Sequence, residues 1–420
     1  MAEEQRPARP GPERLLRRRA HSRQASFLEL FFDLAFIVSF ALLSARLVEH
    51  LTWRNAGQTA ILLAAIWWIW VATAWSTDWY DPNQPLIRGL VLGVMVGGLL
   101  MSAAIPHAYG SFGLVFAGTY ALIHLGRAAL LLPALRGHPI QRRSIVVAIW
   151  FGLSAILWII GGFLTGPMRL VFWLAAILTD YLVASQGWPV PWLGRVSPAQ
   201  LRVVGEHLSE RYRQIFIVAL GEVILVSGLT YTREGLGIVR MLAFVVIFLN
   251  TVLMLWMYFV PVSGWLGGAI ERNQPRGGVY AAYCHAIMIA GVVLTAVGAE
   301  IMIIHPLGAA RTSWTLAIVG GAALFLLGRI LMGMLVYAHP VWRSAGALVL
   351  ILAGTPGLVR LPPLAVGAVV HAVLLGLVLV YLYAGGSHVD RREAERQRDE
   401  LEREEERAEL DPPAPGSLPA

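Results

Sequence analysis

Residues 28–43 read LELFFDLAFIVSFALL, and residues 215–228 read IFIVALGEVILVSG. Each stretch is an apolar run that encloses an acid: Asp33 in the first, which also holds Glu29 near its start, and Glu222 in the second. A carboxylate is costly in hydrocarbon and persists there where it is paired or lines a cavity. The two runs therefore predict membrane helices that carry a working polar site.

The rest of the chain is equally apolar. Of its 420 residues, 57% are hydrophobic and 14% are charged, whereas a soluble domain carries about a quarter charged residues. Runs long enough to cross about 30 Å of hydrocarbon lie at 27–50, 57–77, 87–105, 109–133, 144–164, 168–186, 211–230, 238–260, 279–304, 313–337, 342–356 and 363–384. We therefore predict an all-α transmembrane bundle of about twelve helices, the eleventh being the weakest signal.

The basic residues between the helices indicate the orientation. With the N-terminus in the cytoplasm, 25 of the 33 basic residues fall on the inner side and seven on the outer side. Cytoplasmic loops are expected to carry this excess. We therefore predict a multi-pass protein of the inner (plasma) membrane with both termini cytoplasmic. The same distribution explains the net charge of +7, so no nucleic acid partner is expected.

An internal repeat divides the chain into two halves. The fourth predicted helix contains LGR at 125–127 and is followed by HP at 138–139, and the tenth contains LGR at 327–329 followed by HP at 339–340. Six helices per half is an even number, so both halves would start on the same side of the membrane. This predicts two parallel six-helix repeats related by an axis along the membrane normal.

The predicted domain organisation follows from the repeat and from composition. It consists of a disordered cytoplasmic tail at 1–20, a first repeat at 21–186, a cytoplasmic linker at 187–206, a second repeat at 207–385, and a charged helical and then disordered cytoplasmic tail at 386–420.

Four longer stretches resemble one bacterial family. They are HSRQASFLELFFDLAFIV (21–38), DWYDPNQPLIRGLVLGVMVGGLLMSAAIPHAYG (78–110), GEHLSERYRQIFIVALGEVIL (205–225) and AYCHAIMIAGVVLTAVGAEIMIIHP (282–306). In this order they resemble the low temperature requirement A (LtrA) family of membrane proteins. The resemblance implies a multi-helix integral membrane protein and leaves its substrate and mechanism open.

The first candidate site residues are the two buried acids and the two repeated arginines. Asp33 and Arg127 both lie about 9 Å from the inner ends of their helices, and Glu222 and Arg329 both lie about 12 Å deep, at 1.5 Å per residue. We therefore predict that Asp33 pairs with Arg127 and that Glu222 pairs with Arg329. The acids could carry protons or ions, or they could be structural anchors. The arginines could instead bind an anionic substrate.

Further candidates flank these acids. His207 and Glu210 form an H-x-x-E-R motif before the seventh helix, Glu29 holds a comparable place in the first half, and His285 lies within the family resemblance. At the start of a helix such groups cap the helix or pair with loop arginines, so we expect no metal site. Asp78, at the membrane edge, is expected to be solvated.

These observations favour transport over catalysis. The chain has no phosphate-binding glycine loop and no nucleophile elbow, so we expect neither enzymatic activity nor a cofactor. A secondary transporter or permeation protein using buried carboxylates is the main hypothesis. A two-repeat ion channel and a membrane-embedded enzyme are the alternatives. The expected partners are the lipid bilayer and an unknown small solute or ion, and assembly into a homo-oligomer is left open.

Overall fold

The computed structural model describes residues 11–17, 25–259, 266–309, 311–337 and 341–383. Within these ranges the protein is all α-helical and contains no strand, as predicted. The helices are α1 (Phe27–Glu49), α2 (Trp53–Trp79), α3 (Pro85–Ala104), α4 (Gly113–Ala134), α5 (Gln141–Phe163), α6 (Gly166–Ser185), α7 (Gly205–Glu234), α8 (Ile238–Phe259), α9 (Leu266–Arg272), α10 (Gly277–Ile304), α11 (Thr312–Met332), α12 (Trp342–Leu358) and α13 (Pro363–Tyr383).

Local sequence determines where the first helices begin. Ser26 caps α1, because its side chain accepts the Glu29 N–H at 3.4 Å while Glu29 Oε2 accepts the Ser26 N–H at 2.8 Å. This reciprocal capping box satisfies two N–H groups that the helix itself leaves free. Thr52 caps α2 through the N–H of Asn55 at 3.2 Å. The cap of α1 also fixes the position of the Glu29 side chain at the start of the helix.

Among the residues that the structure describes, eleven helices are long and apolar enough to cross a membrane. α9 has 7 residues and α12 has 17. The length of α12 lies at the lower limit of about 17–25 residues for a spanning helix. Its outward residues Val349, Leu350 and Leu352 are apolar and more than half exposed, as they would be against lipid. The chain is therefore a multi-pass membrane protein, with α12 as the marginal span.

α2 is the central helix of the bundle. In its apolar window 89% of the residues are buried, compared with 33% in α8 and in α13. Trp67, Trp68 and Trp70 of α2 are fully buried, and Trp67 Nε1 donates to the Ala282 carbonyl of α10 at 3.0 Å. The tryptophan cluster therefore packs the two halves together.

The helices of the two halves contact each other in the same order. α1 packs on α3, α3 on α4 and α4 on α5, while α7 packs on α10, α10 on α11 and α11 on α12. α2 contacts α6, and α8 contacts α13 through Asn250 and His371 at 3.0 Å. A six-helix repeat would produce this shared order, and the repeat itself stays a prediction. The axis that would relate the halves stays a prediction, and the repeated HP at 339–340 lies outside the described residues.

Part of the predicted N-terminal tail is folded. Pro12–Leu15 forms a 3₁₀ turn, the Arg17 N–H donates to the Trp79 carbonyl at 3.1 Å, and the Asp81 N–H donates to the Leu15 carbonyl at 2.9 Å. The predicted disorder is therefore wrong for residues 11–17, because Leu15 is buried against the end of α2. Residues 1–10 and 18–24 lie outside the described residues, as do residues 384–420 with the second predicted tail.

Candidate functional site

Three hydrogen-bonded pairs join α1 to α7 along one line, which we call the polar seam. The two members of each pair are separated by 178 positions, so the two helices run parallel in a fixed register. The pairs are Glu29 Oε1 with His207 Nε2 at 3.0 Å, Asp33 Oδ1 with Arg211 Nη2 at 2.7 Å, and Glu222 Oε1 with Ser44 Oγ at 2.8 Å. The parallel course of α1 and α7 is what the predicted parallel halves require.

His207 is the centre of the first polar cluster. Its ring is fully buried, its Nδ1 lies 2.9 Å from Asp78 Oδ1, and its Nε2 lies 3.0 Å from Glu29 Oε1. Nε2 also lies 2.8 Å from Nη1 of Arg17. When the ring is protonated, both nitrogens donate to carboxylates. When it is neutral, Nε2 can accept from Arg17 while Nδ1 donates to Asp78. His207 therefore has hydrogen-bond partners in both protonation states.

Glu29 and Asp78 are held in place from the backbone. Glu29 uses Oε2 for the Ser26 N–H at 2.8 Å and the Ser26 hydroxyl at 2.9 Å, which leaves Oε1 for His207. Asp78 uses Oδ2 for the Val204 N–H at 2.9 Å. The expectation that Asp78 is solvated is wrong, because the chain before α7 folds over the end of α2 and buries this side chain.

Asp33 belongs to the second pair of the seam, and we call the three pairs its rungs. Its Oδ1 accepts from Arg211 Nη2 and from Trp70 Nε1, both at 2.7 Å, while Oδ2 has no hydrogen-bond partner. The predicted pair with Arg127 is wrong. Arg127 lies on α4 and donates to Thr73 of α2 at 2.8 Å. Equal depth along two helices does not make their side chains face each other, and α4 packs on α3 and α5 rather than beside α1.

Glu222 forms the third rung near the other end of α1. It is fully buried, its Oε1 accepts the Ser44 hydroxyl, and its Oε2 has no hydrogen-bond partner. Glu300 of α10 is close enough to interact with it electrostatically. The predicted pair with Arg329 is wrong, because the Arg329 guanidinium lies over the Tyr381 ring, 5.0 Å from its centroid. The protein therefore holds only one of the two Glu222 oxygens by a hydrogen bond.

Apolar side chains separate the second rung from the third. Phe36 and Phe40 of α1 and Ile215 and Ala219 of α7 occupy the intervening turns, and all four are buried. Eleven residues separate Asp33 from Ser44 along α1, which corresponds to about 16 Å at 1.5 Å per residue. The seam thus consists of two polar stations: the Glu29–His207 and Asp33–Arg211 pairs form the first, and the Ser44–Glu222 pair forms the second. The apolar interval between them is called the dry segment.

Two other predicted site residues, His285 and Glu210, lie outside the three pairs of the seam. His285 is buried beside it, stacked on Tyr212 at 4.1 Å and bonded to the Tyr258 hydroxyl at 2.8 Å and the Ala281 carbonyl at 2.7 Å. Glu210 bonds to Gln214 of its own helix at 3.3 Å. His285 is thus a fully bonded packing residue, and Glu210 belongs to the surface of α7.

Sequence reasoning missed four members of the site: Arg17, Ser44, Asp78 and Arg211. One signal was present, because His207 and Arg211 are spaced by four residues, as are Glu29 and Asp33. Residues four apart share one face of a helix. Two acids on one helix can therefore pair with two bases on a parallel neighbour. Among the residues that the structure describes, no group of three or more His, Cys, Asp or Glu side chains is arranged to hold a metal ion.

Comparisons with known proteins give a family match over most of the chain. A sequence model described as bacterial low temperature requirement A protein (LtrA) matches residues 24–379. An uncharacterized protein of Rhizobium meliloti (strain 1021), RA0937, is 33% identical over 328 residues, which cover 75% of this chain and 80% of that protein. No solved structure matches the chain. The match covers both α1 and α7 and hence the whole seam. The chain belongs to the bacterial low temperature requirement A family.

Proposed function

We propose that this protein is a secondary transporter that couples movement of a small solute or ion to protons carried along the polar seam. The supporting observation is the surroundings of His207, which has hydrogen-bond partners in both of its protonation states. A buried ionisable group inside a membrane protein is costly and is typical of an ion or proton pathway. A group that is satisfied with and without its proton can release and rebind it.

The positions of the two stations support transport across the membrane. Glu29 and Ser44 are 15 residues apart on α1, or about 22 Å at 1.5 Å per residue. This distance covers most of the hydrocarbon thickness of about 30 Å. Glu222 has a free oxygen at one end, and the His207 cluster lies at the other. The seam therefore offers a proton-binding site near each membrane surface.

The dry segment between the stations supports a transporter over a channel. Phe36 and Phe40 fill the interval in this conformation, and no continuous polar path joins Asp33 to Glu222 along the α1–α7 pair. Passage then requires a rearrangement of α1 against α7, as in alternating access. We place the protein in the inner membrane with both termini cytoplasmic, on the arginine distribution, and we assign it no enzymatic activity.

The proposal is tested with purified protein in proteoliposomes that contain the pH dye pyranine. Sodium, potassium, chloride, acetate, amino acids and sugars are added outside in turn, and the internal pH is followed. We expect at least one solute to change the internal pH at a rate that saturates with its concentration. Unitary currents in a planar bilayer would favour the channel instead.

Glu222→Gln is the diagnostic variant. The glutamine side chain can still accept the Ser44 hydroxyl, so the fold is retained, but it cannot bind a proton. Solute-driven pH change should fall to the level of empty liposomes. Glu210→Gln is the matched control, because it makes the same change on α7 outside the seam and should keep the wild-type rate. Full activity of Glu222→Gln, or no response to any solute in the wild type, would reject the proposal.

A further inference from the structure

A second candidate site lies between α2, α4 and α5, away from the seam. It is a pocket of about 60 Å³. It lies near the cytoplasmic ends of these helices, as the arginine distribution orients them. Its lining includes Trp68, His124, Arg127, Arg143, Phe151 and Trp188, and no Asp or Glu lines it. The pocket thus combines two fixed positive charges with aromatic walls.

Arg127 carries its charge without an acidic partner. Its side chain is 8% exposed, its Nη2 donates to Thr73 Oγ1 at 2.8 Å, and its Nε has no hydrogen-bond partner. The Thr73 hydroxyl in turn donates to the Ile69 carbonyl at 2.8 Å, so it presents a lone pair to Arg127. No carboxylate of the described residues lies within ion-pair distance of this guanidinium.

Arg143 is buried in the same way. Its Nη1 donates to the Gln200 carbonyl and its Nη2 to the Tyr80 hydroxyl, both at 2.8 Å, and its guanidinium lies 3.9 Å from the centre of the Trp79 ring. All of these partners are neutral. They orient the side chain and leave its positive charge without a counter-charge in the described part of the chain.

His124 and Trp68 add unused hydrogen-bonding groups. His124 is 1% exposed and stacks on Phe151 at 3.9 Å, and neither of its ring nitrogens has a hydrogen-bond partner. The Trp68 Nε1 is buried and unpartnered as well. The nearby acid, Asp180, is engaged elsewhere, since it accepts the hydroxyls of Tyr120 at 2.6 Å and Ser154 at 2.8 Å.

We propose that this pocket binds a small oxyanion. Two buried guanidinium groups without counter-charges are costly, and buried donors without acceptors add to that cost. A water molecule could accept from the donors but would not neutralise the charge. An anion with two or more oxygens does both, because arginine pairs well with carboxylate and phosphate oxygens.

The size of the pocket limits the ligand. At about 10–15 Å³ for each water-sized group, a volume of about 60 Å³ holds roughly four to six heavy atoms. Acetate, bicarbonate and phosphate are of this size. The phosphate of an anionic lipid headgroup has the same chemistry. It is a second source of the ligand, because the pocket lies near the end of the membrane helices. The inference is independent of the transport proposal, because its test measures binding at equilibrium and needs no transport activity.

The test uses the purified full-length protein in nanodiscs at constant ionic strength. Acetate, bicarbonate and phosphate are titrated separately, and binding is followed by tryptophan fluorescence, because Trp68 and Trp188 line the pocket. A second series compares nanodiscs of phosphatidylcholine with nanodiscs containing phosphatidylglycerol. We expect saturable binding of at least one soluble oxyanion, or a phosphatidylglycerol-dependent change that identifies a lipid phosphate as the source.

Arg127→Gln should weaken that binding at least tenfold. Ala148→Leu fills the pocket with a larger side chain and leaves both arginines intact, so it should abolish the binding. This variant provides the test if Arg127→Gln does not fold. Arg88→Gln removes one exposed positive charge on the same side of the membrane and should bind like the wild type. Non-saturable effects of all anions, or equal affinities for Arg127→Gln and Arg88→Gln, would overturn the proposal.

Discussion

Asp33 and Arg211 form an ion pair in the interior of the bundle, with 2.7 Å between Oδ1 and Nη2 and 1% exposure of each side chain. The same Oδ1 also accepts the indole N–H of Trp70 at 2.7 Å. The pair ties α1 to α7 and, through Trp70, to the central helix α2. Removal of either member of a buried charge pair leaves the other as an uncompensated buried charge.

Removal of one member of this pair should be far more harmful than removal of both. Arg211→Gln leaves the Asp33 carboxylate buried without its charge partner, and we expect a loss of about 3–5 kcal/mol in the free energy of unfolding. The double variant Asp33→Asn/Arg211→Gln should lose clearly less than the sum of its single variants. Denaturant unfolding in detergent micelles measures both values. Additive losses would show that the two groups do not interact.

The Ser44 hydroxyl should contribute more than an ordinary buried hydroxyl. It donates to Glu222 at 2.8 Å, and a hydrogen bond to a charged group contributes about 1.5–3 kcal/mol. We therefore expect Ser44→Ala to cost that much when Glu222 is ionised. Ser39→Ala is the matched control, because Ser39 bonds to the neutral Ser102 at 2.6 Å and should cost about 0.5–1.5 kcal/mol. Equal losses would indicate that Glu222 is held neutral.

The burial of the acids could be predicted from sequence, but their partners could not. Apolar flanks on both sides of Asp33 and Glu222 predict burial, because hydrophobicity is a property of the local sequence. Pairing depends on which helices are neighbours and on rotation about each helix axis. Arg127 has the right depth for Asp33, yet its helix packs on α3 and α5. The depth of a residue along its helix therefore does not by itself predict which side chain it pairs with.

Arg17 shows a second limit of sequence reasoning. The stretch around it, RPARPGPERLLRRRA at 6–20, is rich in proline and arginine, a composition typical of a disordered tail. In the structure, Arg17 donates to the Thr77 carbonyl at 2.8 Å and lies 3.7 Å from Glu29. A buried acid cluster supplies a reason for one arginine to be ordered, and that reason is visible only after α2 and α7 are brought together.

Close packing of α10 against α11 should make Gly291 intolerant of substitution. A Cβ atom there would lie 2.5 Å from the Phe325 nitrogen and 2.8 Å from the Gly321 oxygen. We expect Gly291→Ala to destabilise the protein by about 1–3 kcal/mol through overpacking. Gly118→Ala on α4 is the control, since a Cβ atom at Gly118 meets nothing within 4 Å. That change should be neutral or stabilising, and a neutral Gly291→Ala would contradict the packing.

The marginal helix α12 decides on which side of the membrane the last helix ends. In a Cys284→Ser background, new cysteines at Gly110 and Gly308 should react with a membrane-impermeant maleimide on intact cells. A cysteine at Gly137 should react only after permeabilisation. A cysteine at Tyr383 should behave like Gly137 if α12 spans the membrane and like Gly308 if it does not. Labelling of Gly137 in intact cells would overturn the predicted orientation.

The regular spacing of the seam has a mechanical consequence. Glu29 and Asp33 are one helical turn apart, and so are His207 and Arg211. If α1 slides by one turn, about 5.4 Å, in the direction that raises Glu29 to the level of Arg211, an acid still faces a base. A slide in the opposite direction brings Asp33 to the level of His207. Either slide parts Ser44 from Glu222. The seam thus has the form of a ratchet, in which α1 can move in steps of one turn without leaving all of its charges unpaired.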